Sequence, residues 1–200
     1  MKRAIAGILA LLLMTAGLMP VWAVAEETWV QAESVGAYIP TYTPDETNPY
    51  ATYYQGPFRG ELSQFVIRFD LGALPKEAVI ASASLELFCT QLRGIDNKTN
   101  QFTYERIIEP WDAAKVTANT RPKTSSDDIV AVDFPSAAMK PFKVDITAFA
   151  RGWHQGTFPN YGILARAKSA SAAETLNASF VNSTNERQVF RPKLIVAYAK

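Results

Sequence analysis

The chain has 200 residues, 20 basic against 19 acidic side chains, one histidine and one cysteine. Near-neutral charge without a basic run excludes the electrostatic footprint of a nucleic-acid or membrane-surface binder. A single cysteine excludes an internal disulfide framework, so stability must come from a hydrophobic core.

The first segment has the three parts of a secretory signal. Lys2 and Arg3 are the positive region, residues 5–18 are almost wholly apolar, and Pro20 precedes the small-residue pair of Ala23-Val24-Ala25. The apolar run is shorter than the roughly 20 residues of a spanning helix. Cleavage after Ala25 is therefore expected, giving a signal peptide over 1–25 and one domain over 26–200. Losing Lys2 and Arg3 leaves 18 basic against 19 acidic side chains. The mature product is expected to be secreted, soluble and extracellular, with no nucleic-acid or membrane partner.

Strand signals then dominate. Thr28 to Ala32 predicts a first strand. Residues 34–60 are rich in Pro, Tyr, Thr and Gly and hold no long periodic segment, which predicts a long loop or short edge strands. Phe65, Ile67, Phe69 and Leu71 alternate with polar or smaller neighbours, the period-2 mark of a half-buried strand. Val79 to Gln91 predicts a longer strand with Ala83, Leu85, Leu87 and Cys89 inward, so Cys89 reads as a buried, inert thiol.

Residues 93–100 read as a loop, Phe102 to Ile108 as a strand, residues 111–122 as irregular and 123–128 as a polar loop. Ile129 to Phe134 and Phe142 to Ile146 are further strands. Ile146, Phe149, Ala150 and Trp153 fall at i, i+3, i+4 and i+7, which predicts one short helix started by Asp145 or Thr147. Tyr161 to Ala167, Ala178 to Asn182 and Leu194 to Ala199 close the chain. Short strands without alternating helices predict an all-β antiparallel sandwich or jelly roll.

From Phe65 onward, ordered motifs carry a family resemblance. They are Phe65 to Leu71 followed by Leu74-Pro75; Ile80 to Leu87; Tyr104 to Ile107 followed by Trp111-Asp112; Val144 to Thr147 with Trp153 and Gly156; and Arg191 to Val196 with Tyr198. Together they resemble the DNRLRE-type domain, a group of secreted jelly rolls similar to carbohydrate-binding modules. Ala118, in Val116 to Pro122, stands where the family often has an aromatic. The resemblance implies a non-catalytic module for a polysaccharide or cell-surface glycan; other members are structural parts of surface proteins.

Sugar recognition needs rings against the apolar face of the pyranose and polar groups for its hydroxyls. The densest source is the segment holding Tyr42, Tyr50, Tyr53, Tyr54, Phe58 and Arg59, from which Tyr42, Tyr50, Tyr53, Tyr54 and Arg59 are the candidate ligand contacts. Tyr53 and Tyr54 are adjacent, so in an extended segment only one faces a given surface. Trp111 and Trp153 read as core, and Trp29 as either core or surface. A triad would have to use His154, which at the end of the helix reads as a surface or capping residue, and no metal-binding histidine or cysteine motif is present. No cofactor is expected; a structural calcium could be held by Asp45 and Glu46 or by Asp127 and Asp128. The alternatives to a sugar-binding module are a structural or adhesive surface module and a polysaccharide-degrading enzyme.

Overall fold

The computed structural model describes residues 27–31, 34–48, 52–58, 61–94, 101–168 and 177–200. The signal segment lies outside them. Within them the protein is an all-β antiparallel sandwich with one α-helix, as the strand periodicity predicts.

The strands are β1 Glu27–Gln31, β2 Val35–Pro40, β3 Tyr53–Phe58, β4 Glu61–Arg68, β5 Val79–Arg93, β6 Gln101–Ile107, β7 Thr124–Asp133, β8 Lys140–Asp145, β9 Ile163–Ala167, β10 Asn177–Phe180 and β11 Lys193–Ala199; helix α1 is Thr147–His154. One layer is built on β5. Residues 84–89 of β5 pair with β8 on one side, while β10 and β11 pair successively along the other, and β1 closes the edge on β11. The second layer runs β2-β4-β9-β6-β7. β3 belongs to both: residues 53–55 pair with β10, and 56–58 pair with β4. Gly56, at φ 106°, sits at that change of layer, a backbone angle that side-chain-bearing residues rarely adopt.

Alternation decides what fills the space between the layers. Ala83, Leu85, Leu87 and Cys89 of β5 face Phe65 and Ile67 of β4, Phe102 and Tyr104 of β6, and Val196 of β11 in one core cluster. Each large apolar side chain buried this way contributes about 1.5–3 kcal/mol. Cys89 is wholly buried, and burial pushes its thiol up to about 11. It should resist iodoacetamide at pH 8 in the native protein and react after denaturation in guanidinium. Rapid native labelling at that pH would show the strand open.

The helix docks where its spacing predicts. Phe149, Ala150 and Trp153 are buried, and Trp153 joins the main core. Asp145 starts the helix: its Oδ1 accepts the Thr147 N–H at 2.9 Å and hydroxyl at 2.6 Å, which holds the Asp145 carboxyl below the usual carboxylate range. The Thr147 hydroxyl oxygen in turn accepts the Ala83 N–H at 2.9 Å, tying helix to β5.

Of the two expectations for residues 34–60, short edge strands hold for β2, which is buried along most of its length because residues 108–122 fold over it. The polar residues 124–128, expected as a loop, instead continue β7. An edge strand with an exposed face tolerates such polarity, and Ser125 and Asp128 bond each other there.

Candidate functional site

The outward residues of the β2-layer form two transverse rows. Ala37, Val66 and Leu164 lie in one, and Ile107, Val116 and Ile39 complete a second apolar cluster that the 108–122 segment covers with Trp111 and Ala113. Trp111 donates its indole N–H to the Tyr161 carbonyl at 2.6 Å and lies under the Arg68 guanidinium at 5.4 Å. It is therefore framework, as predicted, in the outer cluster and not between the layers.

The cover stops at Arg121, and beyond it the sheet face turns polar. Register sets Gln64, Arg166 and Thr103 side by side on β4, β9 and β6, with Glu105 one outward position along. Arg121 donates from Nη1 to Gln64 Oε1 at 3.2 Å. Arg166 donates from Nε to Glu105 Oε1 at 2.6 Å, and the Thr124 hydroxyl donates to Glu105 Oε2 at 2.7 Å. Gln64 and Glu105 form a buried floor, only 1% and 2% exposed, while the two arginines reach solvent. Burial, and then repulsion from Arg166, hold the Arg121 guanidinium below its ordinary range, with Glu105 opposing them.

One atom of this floor is unmet. Gln64 spends its carbonyl on Arg121, and its buried Nε2 has no hydrogen-bond partner. A buried donor left so costs about 1–3 kcal/mol. The arrangement can bind oxygen-rich ligands with fixed donors.

The tyrosines are disposed differently from the expected row of rings. Tyr53 is wholly buried, stacked on Phe65 at 4.8 Å between centroids, with its hydroxyl 2.9 Å from Ser183 Oγ. Its position in the strand turns it into the core, and it has no surface to offer. Tyr54 points the other way, half-buried and edge-on to Tyr38 at 5.3 Å. Tyr42 is exposed, in the 41–48 loop. That loop is fastened beside the polar floor: Thr41 donates to the Leu62 carbonyl at 2.9 Å, and the Asn119 side chain donates to Asp45 at 2.8 Å. The Tyr42 side chain bonds Tyr38, a member of the core between the layers, and Tyr53 and Tyr54 do not form a platform. Tyr50 and Arg59 lie outside the described residues. Trp29 is half-buried against the core.

The proposed calcium pairs have other partners. Asp45 accepts from Asn119, and Asp128 accepts from Arg106 at 2.8 Å and from Ser125 at 3.1 Å. Among the described residues, no three acidic, histidine or cysteine side chains gather into a metal-binding group.

Gln64, Glu105, Arg121 and Arg166 were not among the expected contacts, because strand pairing and the cover of the 108–122 segment bring them together. A partial signal existed for three: Gln64 precedes the Phe65 to Leu71 motif, Glu105 lies in the Tyr104 to Ile107 motif, and Arg121 lies in the Val116 to Pro122 motif.

An antiparallel sandwich with a pre-formed, oxygen-seeking sheet face belongs to the class of ligand-binding modules. The particular family is carbohydrate-binding module family 96, whose model matches residues 58–198, and the chain belongs to it. That span contains all four floor residues. No curated protein matches the chain.

Proposed function

We propose that this protein is an exported, non-catalytic carbohydrate-binding module of the DNRLRE type, whose polysaccharide or cell-surface glycan lies across Arg121, Arg166 and Gln64. The Arg121–Gln64 and Arg166–Glu105 pairs, set side by side on one sheet face with both guanidiniums reaching solvent, carry this reading. Export rests on the Lys2 to Ala25 signal pattern, and the ligand class on family membership.

The test is retention on a panel of neutral and uronate polysaccharides, with and without calcium. Retention on at least one is expected, with no release of reducing ends. Arg121→Ala should weaken that binding roughly 10-fold or more, since a hydrogen bond from a charged donor is worth about 1.5–3 kcal/mol. Retention on none would overturn the reading.

A structural spacer is the second reading, and the burial of Tyr53 favours it by removing one expected ring. It predicts self-association and no polysaccharide retention.

A further inference from the structure

The opposite face of the sandwich carries another concavity. β10 and β11 would form one continuous strand along β5, were it not for the excursion over residues 181–192 that stands off the sheet. Between this excursion and the outward residues of β5 lies a groove of two adjoining cavities, about 400 and 360 Å³. Its apolar strip is Phe88 and Phe190, with ring centroids 4.4 Å apart, and Met139 at the mouth. Thr184, Glu186 and Arg187 supply polar groups along it.

Two observations mark the groove as built. The excursion is braced from within: Arg191 donates from Nε to the Asn185 carbonyl at 2.7 Å, Asn185 Oδ1 accepts the Arg187 N–H at 3.0 Å, and Ser183 bonds the buried Tyr53 hydroxyl. Met139 has φ 58°, and it is the sole non-glycine among the described residues with a positive φ. A methionine side chain offers no local hydrogen bond to offset that conformation, as asparagine would. The backbone nevertheless holds it, through its N–H to the Cys89 carbonyl at 2.7 Å, with the side chain 68% exposed at the mouth. That conformation leaves the Met139 side chain exposed on the lining of the groove.

We propose that this groove is a second sugar-contact site, taking one or two hexopyranose units; it rests on the module reading above. Each of the two cavities is within the range of small-ligand sites. Phe88, Phe190 and Met139 present carbon to the flat C–H face of a pyranose, while Thr184, Glu186 and Arg187 offer both acceptors and donors to the hydroxyls at its rim. A strip bordered by both kinds of polar group suits a ring whose face is apolar and whose edge is hydroxylated.

The test is calorimetric titration of the whole protein with cellohexaose and with mannohexaose. Phe190→Ala and Arg187→Ala should each weaken binding about 5- to 10-fold. Met139→Gly separates contact from folding, because glycine relieves the positive φ: it should keep or raise the melting temperature and still weaken binding. Equal affinity of wild type and all three variants overturns the groove, as does binding of neither hexasaccharide by the wild type. In both cases the module reading stands or falls separately, on polysaccharide retention and its loss in Arg121→Ala.

Discussion

Replacing Gly162 with alanine is expected to destabilise the protein by about 3 kcal/mol or more, lowering its melting temperature by roughly 6–12 °C. Gly162 has φ 83°, which alone disfavours any L side chain. An added Cβ would also run into the Ile67 carbonyl oxygen and meet the Arg68 Cα at 2.9 Å. These are backbone atoms of β4, so no rotamer change relieves the overlap. The strand must move, and Gly162 stands immediately before β9, where its carbonyl accepts the Ile107 N–H at 3.0 Å. The same displacement would misalign β4, β9 and β6, which set Gln64, Arg166 and Glu105 in place. Gly156→Ala is the control: φ is 71°, but the added Cβ meets nothing within 4 Å, so about 1–2 kcal/mol is expected. Thermal melts of the two variants decide it; equal losses would mean that the close approach to β4 is not present.

Tyr53 is the second large effect. Tyr53→Ala should cost about 3–5 kcal/mol, the range for removing a buried aromatic. The ring is wholly enclosed, stacked on Phe65, and its hydroxyl is the link between β3 and the 181–192 excursion. Tyr53→Phe keeps the ring and should cost about 1–2 kcal/mol, from the lost bond and the buried Ser183 hydroxyl it leaves behind. Denaturant melts measure both. Glycan affinity of folded Tyr53→Phe at the Arg121 face should match the wild type. A specific loss there would return Tyr53 to the ligand contacts.

Most of the architecture was legible because alternation is a local signal. Phe65 to Leu71 and Ala83 to Cys89 state their buried faces in the order of their residues, and the helix around Trp153 states its period. What failed to show depends on cover and partners. β2 reads as either loop or short edge strand because the segment over 108–122 buries its outward face, and nothing near Ala37 or Ile39 in sequence announces that cover. Residues 124–128 read as a loop because an edge strand needs no apolar alternation on its open face. The site was harder still. Adjacent Tyr53 and Tyr54 were expected to face opposite sides, as they do, but the pattern could not say that Tyr53 would be the one enclosed. Gln64, Glu105, Arg121 and Arg166 come from four separate segments; strand register aligns the three on β4, β6 and β9, and the covering 108–122 segment brings Arg121 to Gln64.

The central claim is that a glycan is held on the polar face around Arg121. Amide chemical-shift mapping of the labelled protein, titrated with an oligosaccharide from whichever polysaccharide retains it, tests this most directly. The account predicts saturable shifts at Gln64, Thr103, Glu105, Arg121 and Arg166, with the Gln64 side-chain amide among the largest. Saturable binding that leaves those five positions unmoved would contradict it.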